Sequence, residues 1–122
     1  MRLLEYQAKS LFRDYGIPVP RGVVCRSEGD VENSAGQVGE HLALKAQVPA
    51  GKRGKGGGIL FAGNLAEACT KVAGLLKAQI CGFPVREVLV EERLEIAREM
   101  YVAVMTDTAG GKGCPMVILS AR

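Results

Sequence analysis

Ten residues, Pro49-Ala50-Gly51-Lys52-Arg53-Gly54-Lys55-Gly56-Gly57-Gly58, hold five glycines and three cations. Lysine and arginine attract polyphosphates, and glycine, having no Cβ, lets backbone N–H groups approach an anion closely. A further cation lies just upstream. In the run Leu42 to Val48, Leu42, Leu44, Ala46 and Val48 point one way, and Ala43, Lys45 and Gln47 the other. A charge in the middle of a strand needs a partner or an anion. The nearby glycine loop favours a phosphate for Lys45 over a lysine that reaches water from an edge strand. From the loop alone, a solvated hairpin tip that binds nothing is as good a reading as a phosphate flap.

The loop fits neither common phosphate motif. A P-loop needs Gly-Lys-Ser/Thr after Gly and four residues; counting from Gly51 reaches Gly56, but Gly57 and Gly58 follow. The dinucleotide fingerprint needs glycines at its first, third and sixth positions, opening a helix. Gly54 and Gly56 supply two, but Ile59 holds the sixth place. Both helix N-terminus phosphate sites are therefore disfavoured.

The elements that must position these groups follow from pattern and punctuation. Leu4, Ala8, Leu11, Phe12 and Tyr15 repeat at helical spacing, with Arg2, Glu5, Lys9, Arg13 and Asp14 largely on other faces. Gly16 caps this helix and Pro18 stops it, and the apolar stripe reads as core. Gly22 to Cys25 reads as a strand. Ser27 and Asp30 form a capping-box pair for a second helix that ends at Gly39. The runs Leu42 to Val48 and Ile59 to Ala62 read as strands on either side of the flap. Asn64 and Glu67 cap the clearest amphipathic helix, through Leu76, and Gly82 and Pro84 end that region. Val85 to Glu91, Arg98 to Thr106 and Pro115 to Ala121 read as strands. The last two are joined through Thr108-Ala109-Gly110-Gly111-Lys112-Gly113. This is an α+β (α/β) plan with a mostly antiparallel sheet and flanking helices. A compact domain rarely closes on a strand end such as Arg122, so an N-terminal piece of a longer protein is expected.

The totals set bounds. The chain has 122 residues, 48% hydrophobic and 24% charged, enough for one modest domain or part of a larger one. A formal net charge of +3 does not by itself imply nucleic acid. Cys25, Cys69, Cys81 and Cys114 lie far apart with no C-x-x-C pair, and only His41 could join them, which disfavours zinc. Three of the four thiols stand in apolar sequence and read as reduced and buried. His41, at a helix–strand junction, reads as a surface residue. No apolar run approaches the roughly 20 residues that span a bilayer, and no targeting leader is visible.

Leu4-Glu5-Tyr6-Gln7-Ala8-Lys9, Leu11-Phe12 and Tyr15-Gly16-Ile17-Pro18-Val19-Pro20 resemble the start of the succinyl-CoA synthetase β subunit family. The resemblance runs on through Lys45-Ala46-Gln47-Val48, Gly51-Lys52-Arg53-Gly54-Lys55, Val90-Glu91-Glu92 and Ile96-Ala97-Arg98-Glu99-Met100-Tyr101 to Val117-Ile118-Leu119-Ser120. It covers essentially the whole chain and takes in related ligases such as malate–CoA ligase and citryl-CoA synthetase.

It implies an ATP-grasp fold, with residues 1–20 and 93–122 belonging to one lobe and 21–92 to the other. Lys45 would contact the phosphates of ATP, and Lys52, Arg53 and Gly54 would cover the triphosphate. Glu91 would bond the adenine or hinge region, Leu94 would act through its backbone, and Glu99 would lie near the ribose. On the residues alone, Glu91 reads as a rim carboxylate beside an arginine, and Glu99 as half of a cross-strand ion pair.

The resemblance further implies a magnesium ion whose Asn and Asp ligands lie beyond Arg122. It implies a partner α subunit that carries the phosphorylated histidine, with CoA and a small di- or tricarboxylic acid as co-substrates. It places such an enzyme in the tricarboxylic acid cycle, in the cytoplasm or, in a eukaryote, the mitochondrial matrix. Residues 1–122 alone are expected to be inactive. Lys52 replaces a family glycine and Pro49 a family histidine, and the second change leaves the acyl substrate open among succinate, malate and citrate. Two other readings stand beside this one: a nucleotide-binding module without ligase chemistry, and a nucleic-acid binder using the basic loop. The second is weakened because Phe61 is the only aromatic residue near the loop. No nucleic-acid or membrane partner is expected.

Overall fold

The computed structural model describes residues 2–109, 111 and 113–121. Gly110 and Lys112 of the expected hairpin connection, and the strand end at Arg122, lie outside the described residues. In chain order the elements are α1 (Glu5–Asp14), β1 (Gly22–Cys25), α2 (Glu28–Ser34) with a 3-10 turn at Ala35–Gln37, β2 (Leu42–Ala46) and β3 (Ile59–Ala62). There follow α3 (Leu65–Leu76), β4 (Gln79–Ile80), β5 (Phe83–Pro84), β6 (Val88–Glu92), β7 (Met100–Asp107) and β8 (Cys114–Ala121).

Side-chain chemistry fixes the helix ends. The Asp30 N–H donates to Ser27 Oγ at 3.2 Å while the Ser27 N–H donates to Asp30 Oδ2 at 3.0 Å. The Glu67 N–H donates to Asn64 Oδ1 at 2.8 Å, and the Gly63 N–H to Glu67 Oε2 at 2.8 Å. Helix α1 ends in a left-handed Gly16 (φ 74°). There the Ile17 N–H reaches the Phe12 carbonyl at 2.9 Å and the Gly16 N–H the Arg13 carbonyl at 3.0 Å. The second helix is shorter than its pattern predicts: α helix stops at Ser34 and the chain tightens into the 3-10 turn beside Gly36.

Strands β1, β6, β2 and β3 make one sheet in that order, with every neighbour antiparallel. One face carries Leu42, Leu44, Ala46, Val88 and Val90 against Val31 and Ala35 of the α2 region and Ala68, Val72 and Leu75 of α3. Burying each of the larger of these side chains contributes about 1.5–3 kcal/mol. Helix α1 lies on the opposite face, where the Tyr6 N–H donates to Gln47 Oε1 at 3.2 Å. That cover explains why Ala43, Gln47, Leu89 and Glu91, which alternate with the core residues, are buried too. Strand β2 is interior, so Lys45 has no sheet edge from which to reach water.

Several expectations need correction. Strand β6 begins at Val88, not Val85, because Val85 belongs to the exit from a small hairpin that the sequence pattern did not announce. In that hairpin β4 and β5 are joined by Cys81 and Gly82, both at positive φ (53° and 81°), as a two-residue turn of the primed type requires. Strand β2 ends at Ala46, and β7 runs Met100–Asp107 instead of Arg98 to Thr106. The α1 stripe is not core among the described residues: Leu11 and Phe12 are half exposed and Tyr15 is 83% exposed. Strands β7 and β8 pair with each other and leave apolar side chains exposed on both faces. Only Cys25 is buried, with its thiol pushed up to about 11, chiefly by burial; Cys69 is half-buried, and Cys81 and Cys114 are exposed.

Candidate functional site

The register of the sheet assembles the site. Lys45 pairs with Leu89 of β6 and Ile59 of β3, and Ala43 pairs with Glu91 and Phe61. All six side chains therefore share the face that α1 covers. Lys45 and Glu91 are diagonal neighbours across β2 and β6, within reach of long side chains. Gly22 on β1 pairs with Glu91 from the other side. A Cβ at Gly22 would stand 2.9 Å from the Glu91 Cβ, so only glycine lets β1 close on β6 here.

Four charges form a closed ring. The Lys45 ammonium bonds the Glu91 carboxylate and lies 3.0 Å from Glu5 Oε1. Lys9 lies 2.8 Å from Glu5 Oε1 and 2.5 Å from Glu91 Oε2. Cations and carboxylates alternate around it. Arg53 of the flap attaches from outside, with Nη2 2.6 Å from Glu5 Oε2 and Nη1 donating to the Ala46 carbonyl at 2.9 Å. Glu91 is 2% exposed, and such a carboxylate is tolerable in the interior only because two ammonium groups meet it. Burial alone would raise the Glu5 pKa; Lys9, Lys45 and Arg53 override it and hold the group at about 2. Burial works against the Lys45 charge as well, yet Glu91 and Glu5 together raise its pKa.

Beside the ring opens a cleft of about 450 Å³, within the range of small-molecule sites. Lys45, Lys9 and Glu91 form its charged end. Ile59, Phe61, Leu94 and Ile96 form its apolar wall, and Glu99 also lines it. The wall is braced at the strand exit: the Arg93 guanidinium lies 4.5 Å over the Phe61 ring, and the Arg93 backbone N–H donates to the His41 carbonyl at 3.0 Å. Arg21 grips Glu92 through two side-chain hydrogen bonds of 2.9 and 3.0 Å, fixing the end of β6 where the chain leaves for Leu94.

The structure thus brings Lys45, Glu91, Leu94 and Glu99 to one cleft and ties Arg53 to it through Glu5. Lys52 and Gly54 stay on the exposed flap, outside the cleft wall. The flap is folded on itself. The Gly58 and Gly56 N–H groups donate to the Arg53 carbonyl at 2.8 and 3.1 Å, and the Gly57 N–H donates to the Gly54 carbonyl at 3.3 Å. Those N–H groups turn inward here instead of cradling an anion. Two readings made from the residues alone also change. Glu91 is a buried carboxylate between lysines, not a rim group beside an arginine. Glu99 precedes β7 and makes no ion pair among the described residues. His41 is exposed and contributes a backbone carbonyl.

Glu5, Lys9 and Phe61 were missed as site residues. Glu5 and Lys9 stand four apart on a helix, the spacing of an ion pair, but periodicity cannot say which polar face docks on a sheet. No group of three His, Cys, Asp or Glu converges among the described residues, so none is assigned to a metal.

Comparison with known proteins agrees with this architecture. The chain is 42% identical over 122 residues to the succinate–CoA ligase [ADP-forming] subunit beta of Methanocaldococcus jannaschii, matching all of this chain and 32% of that one. Against the same subunit of Halobacterium salinarum, the identity is 41% over the whole chain and 31% of the relative. The chain therefore spans about a third of the length of these relatives. Among solved structures, the dinucleotide-forming acetyl-coenzyme A synthetase 1 of Ca. Korarchaeum cryptofilum superposes with a TM-score of 0.80 at 23% identity, over 98% of this chain and 53% of that one. Phosphoribosylamine–glycine ligase of Thermotoga maritima superposes with a TM-score of 0.70 at 17% identity, over 95% and 27%. At those identities the likeness is one of fold. The ATP-grasp domain model matches residues 2–122, and on that match the chain belongs to the ATP-grasp domain family.

Proposed function

We propose that the chain supplies the nucleotide-binding part of an ADP-forming acid–CoA ligase of the succinate–CoA ligase type. The observation that carries the proposal is the convergence of Lys45, Glu91, Leu94 and Glu99 on one cleft whose charged end is tied to a cationic flap. The similarity to succinate–CoA ligase β subunits over the whole chain supports the ligase type.

In this reading Lys45 and Arg53 hold the phosphates of ATP, and Lys52 and Gly54 cover them from the flap. Ile59, Phe61 and Ile96 pack the base, Leu94 offers backbone groups to it, and Glu91 and Glu99 accept from base and ribose donors. Glu91 also fixes the Lys45 ammonium in place. Magnesium, when bound, neutralises developing phosphate charge; the described residues provide no ligand set for it, and no step is assigned to it here. The phosphoryl acceptor is a histidine of a partner α subunit, and CoA then takes the acyl group from an activated di- or tricarboxylic acid. The exposed apolar faces of β7 and β8 suit a two-lobe division, with 1–20 and 93–122 in one lobe and 21–92 in the other, α1 packing across onto the sheet of the second. No described helix is long and apolar enough to cross a membrane. From the ligase type, the proposed site of action is the cytoplasm or, in a eukaryote, the mitochondrial matrix.

Calorimetric titration with ATP tests the reading. Lys45→Ala is expected to weaken ATP binding about 10- to 100-fold, the loss of one charge-assisted phosphate contact. Equal affinity in the folded variant would remove Lys45 from the site.

A further inference from the structure

The two cations proposed for the phosphates are already engaged, and by the same side chain. Glu5 Oε1 faces Lys45 and Lys9, and Glu5 Oε2 faces Arg53. Glu5 stands at the first position of α1, where the helix terminus also favours an anion. Its partners lie 40 and 48 residues away, on the sheet and on the flap. Arg53 is held at a second point by the Ala46 carbonyl, and Arg2 donates to the Pro49 carbonyl at the flap base at 3.0 Å. The start of α1 thus clasps the flap to β2.

We infer that Glu5 is a positioning residue that takes the place of phosphate in the ligand-free molecule and must be displaced before the flap cations can bind a nucleotide. The inference rests on the nucleotide reading above. Its physical basis is charge. Two carboxylates against three cations leave one net positive charge at the site; with Glu5 withdrawn, two remain for the ligand. Arg53 cannot turn Nη2 to a phosphate while that group bonds Glu5 at 2.6 Å. The carboxylate therefore competes with the ligand, and the competition is reciprocal: a bound polyphosphate loosens Glu5 as much as Glu5 weakens the polyphosphate. The exchange needs no protonation and no bond to be made or broken covalently. It ties release of the flap from α1 to arrival of the ligand and gives Arg53 a carboxylate partner while the site is empty.

The test uses inorganic tripolyphosphate as a probe of the phosphate groups, with ATP beside it. Native protein and Glu5→Gln are compared by calorimetry and by hydrogen exchange of the flap amides, residues 51–58. Glu5→Gln is expected to speed ligand-free flap exchange and to tighten tripolyphosphate binding about 5- to 100-fold. A purely structural role would lower stability and weaken binding together. Unchanged flap exchange, or affinity that is unchanged or weaker in the folded variant, overturns the inference. Arg53→Lys keeps Glu5 but cannot bridge it to the Ala46 carbonyl, and serves if Glu5→Gln does not fold. It should speed the same amides, and unchanged exchange there overturns the clasp. Failure of the nucleotide reading looks different: neither ATP nor tripolyphosphate binds native protein or variant.

Discussion

Lys45 and Glu91 meet diagonally across β2 and β6, on the sheet face that α1 covers, and each also bonds a group from α1: Lys45 bonds Glu5, and Glu91 bonds Lys9. The pairing is three-dimensional: neither strand nor helix supplies a complete set of partners. Removing one carboxylate should therefore damage more than one contact. Glu91→Gln leaves Lys9 and Lys45 sharing only Glu5, in a place where water reaches poorly. We expect a loss of about 2–4 kcal/mol of stability, read as a lower denaturation midpoint. Glu92→Gln, one residue on and more exposed, should cost about 1 kcal/mol or less. Equal effects for the two would contradict the burial argument.

Acid should unlock the ring through Glu5. Its carboxyl titrates near 2 in the folded chain against 4.5 unfolded, so the unfolded state binds more protons between those values. The stabilisation is complete above about pH 4.5 and fades as pH falls toward 2. Comparing unfolding of native protein and Glu5→Gln across pH 2 to 6 checks this. The gap between them should shrink as the medium becomes more acid, from about 1–3 kcal/mol once screening is allowed for. A gap constant with pH would show that the Glu5 charge is not what matters.

Lys52 sits in the left-handed region at φ 58°, a conformation that suits glycine better than lysine. Lys52→Gly relieves that strain and Lys52→Ala does not. The glycine variant should be about 0.5–1 kcal/mol more stable than the alanine variant by denaturant unfolding, the strain relief outweighing the extra freedom of the unfolded chain. Both variants should lose polyphosphate affinity equally, since both lose one charge.

Much of this architecture was legible in the residues. The Ser27/Asp30 and Asn64/Glu67 pairs, the Gly16 stop and the alternation through Leu44 and Ala46 each act locally, and each holds in the fold. The cationic flap and Lys45 were visible because charge in a strand and glycine in a loop are anomalies of type and position. Glu5 and Lys9 were not legible as site residues, because on a helix surface they match any solvated ion pair. Only the docking of α1 on β2 and β6 gives them partners 40 and 82 residues away. Buried Glu91 was misread for the same reason: depth is a property of what covers a strand, and the covering helix is at the other end of the chain. The Cys81–Gly82 turn escaped because cysteine is an unusual residue at positive φ.

The strand order β1-β6-β2-β3 also governs when the cleft comes into being. As the chain leaves the ribosome, β1 emerges early but its one sheet neighbour among the described residues is β6, more than sixty residues later. Until then β2 and β3 can form no more than a two-stranded ribbon, and α1 has no finished floor to rest on. Insertion of β6 joins the halves and delivers Glu91 between Lys9 and Lys45, forming the charged end of the cleft that Leu94, Ile96 and Glu99 then complete. Such a late, non-local closure is a slow step that commits many residues at once. Damage that blocks β6 from inserting would thus cost the nascent chain its sheet and the candidate site together.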